Sequence, residues 1–158
     1  MKKILKIDLL VIDLSICSRC LSTQDHLKTA IELLNPVGEI LGIEIKYQEI
    51  VIKTPEEAKK HALLTSPTIR LNGRDIGGDI RESECEPCTQ LTVNNTCVEC
   101  REWHYRGKVY FQAPLPLLVE AIMRAMLDID SAPVVPPPLE ELPENLRRYF
   151  ATKRQGCC

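Results

Sequence analysis

The Cys17-Ser18-Arg19-Cys20 motif stands directly after an apolar run, residues 4–14, and directly before a segment with helical periodicity. That placement constrains the chain more than any other feature. A cysteine where a covered strand hands over to a helix meets free backbone N–H groups and the positive end of the helix dipole, and both stabilise a thiolate. The run, centred on Leu9-Leu10-Val11-Ile12, has the unbroken hydrophobicity of a strand covered on both faces. Beyond the motif, Leu27, Ala30, Ile31 and Leu34 recur at helical spacing to about Leu34, and Asn35-Pro36 with Gly38 mark an end or a break. Arg19 adds a positive charge beside the pair. The physical expectation is Cys17 as attacking thiol and Cys20, one turn on, as resolving thiol.

Six further cysteines make the redox compartment important. The first residues, Met1-Lys2-Lys3, have the charge of an export signal. However, Lys6, Asp8 and Asp13 interrupt the apolar run and no small-residue cleavage site follows. A cytoplasmic, reducing location is therefore expected, where cysteine pairs serve catalysis or metal binding rather than a disulfide framework. A chain of 158 residues buries a core without cross-links. Its 20 basic and 22 acidic residues include no basic block, which excludes an electrostatic footprint for nucleic acid or an anionic membrane. No apolar stretch approaches the roughly 20 residues that span a bilayer.

Ile43, Ile45 and Tyr47 alternate with polar residues, and Ile50 and Ile52 continue that second strand. Thr54-Pro55-Glu56-Glu57 is a helix start, with Thr54 as N-cap, Pro55 at the first helical position and Glu57 completing a capping box; the helix is expected to reach about Leu63. A strand then enters through Thr65-Ser66-Pro67-Thr68 and closes at the hairpin signal Asn72-Gly73. Residues 114–127 carry Leu115, Leu118, Val119, Ile122 and Met126 on one face of a helix.

This order resembles the thioredoxin superfamily. The specific matches are Cys17 and Cys20 after the first strand, and Thr65-Ser66-Pro67-Thr68 at the position of that family's cis-proline. The resemblance covers residues 3–78 and resumes at 114–127. It implies an α/β fold with a mixed sheet flanked by helices, and a thiol–disulfide oxidoreductase acting on protein or small-molecule thiols and disulfides. It also implies that Pro67 faces the cysteine pair and that backbone of Ser66 pairs with bound substrate. Asp13 falls near the buried acid that tunes the second cysteine in some members. Two positions depart from the pattern: Ile16 replaces the common aromatic, and Ser18-Arg19 replaces Gly-Pro.

Residues 79–113 form a Cys-rich insertion within a domain of residues 1–130. Cys85-Glu86-Pro87-Cys88 and Cys97-Val98-Glu99-Cys100, eight residues apart, can offer four thiolates to one tetrahedral Zn²⁺. Zinc is preferred because an insertion with few large apolar residues needs another source of order; an iron–sulfur cluster and two further redox pairs are the alternatives. A hairpin is expected over residues 103–111, with His104 on its surface. Residues 131–158 form an extension, in which Ala132-Pro133-Val134-Val135-Pro136-Pro137-Pro138 is an extended spacer. Residues 143–150 follow as a short helix that docks through Leu146, Tyr149 and Phe150. Adjacent Cα atoms lie about 3.8 Å apart, short of the roughly 4.4–6.8 Å usual for a disulfide, so Cys157-Cys158 suits soft-ion chelation or exchange. That pair resembles the one on the tail of mercuric reductases. Three functions follow: a thiol–disulfide oxidoreductase, a protein that binds or transfers soft metals and metalloids (As, Hg, Zn), or an inactive interaction module with structural zinc. No organic cofactor is expected.

Overall fold

The computed structural model describes residues 2–153. Strand β1 (Lys3–Val11) lies at the centre of a mixed sheet, and its Leu5, Ile7, Leu9 and Val11 have no exposed surface. It pairs in parallel with β2 (Ile43–Val51) and antiparallel with β3 (Thr68–Leu71), which carries β4 (Arg74–Asp75) on its far side. The order is β2-β1-β3-β4. Helices α1 (Ser18–Ile40) and α4 (Leu115–Leu127) pack together, burying Leu27, Ala30 and Leu34 of one and Leu118, Ile122 and Met126 of the other. These side chains join Leu5, Ile7 and Leu9 in one core. Among the described residues no helix is long and apolar enough to cross a membrane.

Local signals explain most elements. Thr54 Oγ1 accepts from the Glu57 N–H at 3.1 Å at the start of α2 (Pro55–Lys60), while the Glu57 carboxylate reaches back to the Lys53 N–H at 2.8 Å. Asn72 and Gly73 both take positive φ, +48° and +85°, as the turn into β4 requires. The Ser66–Pro67 peptide bond is cis. Two helix ends differ from the sequence reading. Helix α2 stops at Lys60 rather than near Leu63, because Ala62 turns left-handed at φ +53°. Helix α1 passes through Pro36 to Ile40 instead of ending near Leu34. Gly38 shows why. A Cβ there would stand 3.0 Å from the Ile43 carbonyl oxygen and 3.3 Å from the Met126 methyl. The glycine is the point of close approach to β2 and α4, and that packing outweighs the one donor Pro36 removes.

Residues 79–113 contribute β5 (Glu82–Glu84), α3 (Glu86–Gln90), β6 (Glu99–Arg101), β7 (Trp103–Tyr105) and β8 (Lys108–Tyr110). Strands β5 and β6 pair antiparallel, and β7 and β8 form the expected hairpin. The proline-rich segment runs extended but is pinned: the Val134 N–H donates to the Asn72 carbonyl and the Leu139 N–H to that of Lys59, both at 2.9 Å. Helix α5 (Glu144–Thr152) then packs on α2, burying Leu146 and Tyr149. A Cβ on Gly73 would fall 1.6 Å from the Val134 carbonyl oxygen, on backbone already at φ +85°. Gly73→Ala is therefore expected to lose at least about 1 kcal/mol, read as a lower midpoint in urea. An unchanged midpoint would show that residues 133–136 do not hold this turn.

Candidate metal centre

The site begins with a loop tied by one carboxylate. Asp13 Oδ2 accepts from the backbone N–H groups of Ser15, Ile16 and Cys17 at 3.0–3.1 Å. This role, rather than tuning Cys20 as a buried acid, is what the structure gives Asp13. The loop leaves Cys17 as the N-cap of α1, its sulfur accepting from the Cys20 N–H at 3.4 Å. Further along the chain, Cys85 is the N-cap of α3 and Cys88 lies one turn on. The Cys85 N–H donates to the Val98 carbonyl at 2.8 Å, and Thr89 Oγ1 accepts from the Val98 N–H at 2.9 Å. These bonds hold α3 against the strand that carries Cys100.

Four sulfurs converge here: those of Cys17, Cys85, Cys88 and Cys100 all lie within 4.8 Å of one another. Cys17 and Cys85 are 3.7 Å apart, and Cys88 and Cys100 3.6 Å. A tetrahedral ion with sulfur ligands about 2.3 Å away sets neighbouring sulfurs about 3.8 Å apart, so the spacing fits one metal ion. All four residues are at most 1% exposed. Cys97 is exposed and outside the group, so Cys17 stands where the sequence reading had Cys97. The two sites expected from the sequence thus share a thiol. The six cysteines of the described residues are free.

Cys20 is a fifth buried thiol, with its sulfur 3.9 Å from Ser66 Oγ. The thiols of Cys100 and Cys20, followed by those of Cys85 and Cys88, donate toward Cys17 and hold its pKa far below the usual thiol range. The Cys20 thiol is pushed the other way by its contacts with Cys100 and Cys17 and by burial. Cys88 and Cys100 are also raised, through Cys100 and Cys17 respectively.

Arg19 does not reach out to the thiols. Its five donors go to five backbone carbonyls: Nε to Phe111, Nη1 to Ser83 and Glu84, and Nη2 to Cys100 and Arg101. Two of these acceptors belong to Cys100 and to the residue before Cys85, so Arg19 fixes ligand-bearing backbone from behind. The Ser66 carbonyl accepts from the Arg101 N–H at 2.8 Å, so the end of β6 lies where the resemblance expects substrate backbone. The fully buried Arg101 pairs with Asp75 at 2.9 Å and lies over Trp103.

Helix α5 docks as expected, and its Asn145 adds contacts that no sequence signal announced. Asn145 exchanges hydrogen bonds with the Glu99 backbone, accepting at 2.8 Å and donating at 2.7 Å, so it extends β6 as a strand partner would. It also donates to Glu82, whose carboxyl is pushed above its ordinary range by burial. The Tyr149 hydroxyl reaches the Ile12 carbonyl at 3.5 Å. His104 pairs with Glu102 on the hairpin surface. Cys157 and Cys158 lie outside the described residues.

No curated protein and no solved structure matches the chain. Residues 5–122, which include all five buried thiols and stop short of the proline-rich segment, match the family described as a domain of unknown function, DUF2703, and the chain belongs to that family.

Proposed function

We propose that this chain is a zinc–thiolate protein built on a thioredoxin-like scaffold, in which the first cysteine of the CxxC motif has become a ligand of a metal centre shared with the insertion. One observation carries the reading: four buried sulfurs from three separate elements stand at the spacing a tetrahedral ion requires. Packing alone gives no reason for four thiols to converge, whereas four thiolates suit Zn²⁺ or another soft ion. The order β2-β1-β3-β4, with the CxxC motif opening α1 and Ser66 beside Cys20, supports the scaffold. A reducing, cytoplasmic location accords with the six free thiols of the described residues.

Thiol–disulfide exchange is the second reading, favoured by the depressed pKa of the Cys17 thiol at the helix start and by Cys20 one turn on. It needs an incoming disulfide to displace residues 99–101, because the Ser66 carbonyl is taken and the sulfurs are covered. Handling of arsenic or mercury by the same thiols belongs to the first reading with a different ion.

Elemental analysis of protein purified under reductant is expected to find one zinc per chain. Cys17→Ser should abolish binding and Cys97→Ser should leave it intact. The reverse pattern would put the ion on Cys85, Cys88, Cys97 and Cys100. Metal-free protein that takes up no zinc would remove the reading.

A further inference from the structure

Five thiols are buried at this centre and four complete a tetrahedral set. Cys20 is the one left over. It has no exposed surface, and its sulfur is surrounded by Ser66 Oγ and the thiols of Cys17 and Cys100. Cys17 and Cys20 occupy the N-cap and third positions of α1. The Cys17 sulfur accepts from the Cys20 N–H at 3.4 Å, so the two side chains share one side of the helix start, and drawing their Cβ atoms to the roughly 3.5–4.5 Å of a disulfide takes a small tightening of that turn.

We infer that Cys17 has two mutually exclusive bonds available, one to the metal ion and one to Cys20, so that oxidation of this pair releases the ion. The inference rests on the metal reading above and adds its regulation. When the ion is held, Cys17, Cys85, Cys88 and Cys100 are committed to it, and Cys20 is the buried sulfur beside Cys17 that the ion does not need. Closing the Cys17–Cys20 bond leaves three thiolates, one short of a closed structural site.

The oxidant is a small peroxide. The Cys17 sulfur attacks one peroxide oxygen, the O–O bond breaks, and hydroxide leaves, giving a sulfenic acid. The Cys20 sulfur then attacks Cys17, the S–O bond breaks, and water leaves with the Cys20 proton. Two electrons pass from the two cysteines to one peroxide, and a dithiol reductant reverses the change.

The test uses the full chain loaded with zinc, with Cys97, Cys157 and Cys158 changed to serine so that only the centre reacts. Equimolar hydrogen peroxide is added, zinc release is followed with a chromogenic chelator, and disulfides are mapped by mass spectrometry. One zinc should leave per Cys17–Cys20 disulfide, and dithiothreitol should restore binding. Cys20→Ser and Cys20→Ala should load zinc as the parent does and release it at least an order of magnitude more slowly. Release from both variants at the parent's rate, or a disulfide joining Cys17 to Cys85 or Cys88 to Cys100, would overturn the inference. Zinc retained after the Cys17–Cys20 disulfide has formed would overturn it while leaving the metal reading standing. Failure of the untreated parent to load zinc would overturn both.

Discussion

Withdrawing the ion is expected to move the emission of Trp103 to the red and to lower the melting temperature by about 10 °C or more. Trp103 is the only tryptophan of the chain and is fully buried, against Arg101. Three of the four sulfurs belong to residues 79–113, and the fourth, Cys17, belongs to the start of α1. An ion held there would join residues 79–113 to the sheet. Binding energies of structural zinc are about 10–16 kcal/mol in small peptides, and that energy is folding energy where the site forms only in the fold.

The pH dependence has a definite sign. Without metal, Cys88 and Cys100 hold their protons above the usual thiol range, mainly through the neighbouring thiols of Cys100 and Cys17. A raised folded-state pKa contributes stability that is present below the unfolded value and lost as pH rises through the folded one. Metal binding reverses this, because the ligands must be thiolates. Loading should thus release at least two protons per ion, and the gap in melting temperature between loaded and chelated protein should widen from about pH 6 to about pH 8. A gap that narrows, or a Trp103 spectrum indifferent to a chelator, would mean that the thiols converge without holding a metal.

What was legible in the sequence were the features set within a few residues: the covered strand at Leu9-Leu10-Val11, the Thr54 cap, the Asn72-Gly73 turn and the apolar face of α4. Tertiary approach decided the rest. Gly38 reads as a stop because its close approach to Met126 of α4 lies far off in sequence. The exchange of Cys97 for Cys17 has a similar origin. A CxxC pair at a helix start, such as Cys85 and Cys88, places both sulfurs on one side. In extended chain, residues three apart face opposite ways. On the run into β6, Val98 and Cys100 point inward and Cys97 outward. That alternation could have excluded Cys97 from sequence alone. The choice of Cys17 could not, since it depends on the Arg101–Ser66 hydrogen bond that lays β6 against the loop before β3.

Arg19→Ala is expected to destabilise the zinc-loaded chain by on the order of 4 kcal/mol, among the larger single-residue effects. The guanidinium is buried, and each of its five donors meets a different carbonyl, on Phe111, Ser83, Glu84, Cys100 and Arg101. A hydrogen bond from a charged donor contributes about 1.5–3 kcal/mol; the five are not additive, but all their acceptors lose a partner together. The ring of Phe111 also loses the cation that covers it at 5.0 Å. Lysine separates charge from shape. An ammonium keeps the positive charge but presents three donors at one point, whereas these carbonyls come from β5, β6 and the turn after β8 and need a planar fork. Arg19→Lys should therefore recover less than half of the loss in a denaturation experiment. Because Arg19 holds the carbonyl of Cys100 and the one before Cys85, both variants should also release zinc to a chelator faster than the parent, by roughly 10–100-fold. Full rescue by lysine would instead assign Arg19 to charge compensation of the thiolates, which is the role its place between Cys17 and Cys20 first suggests.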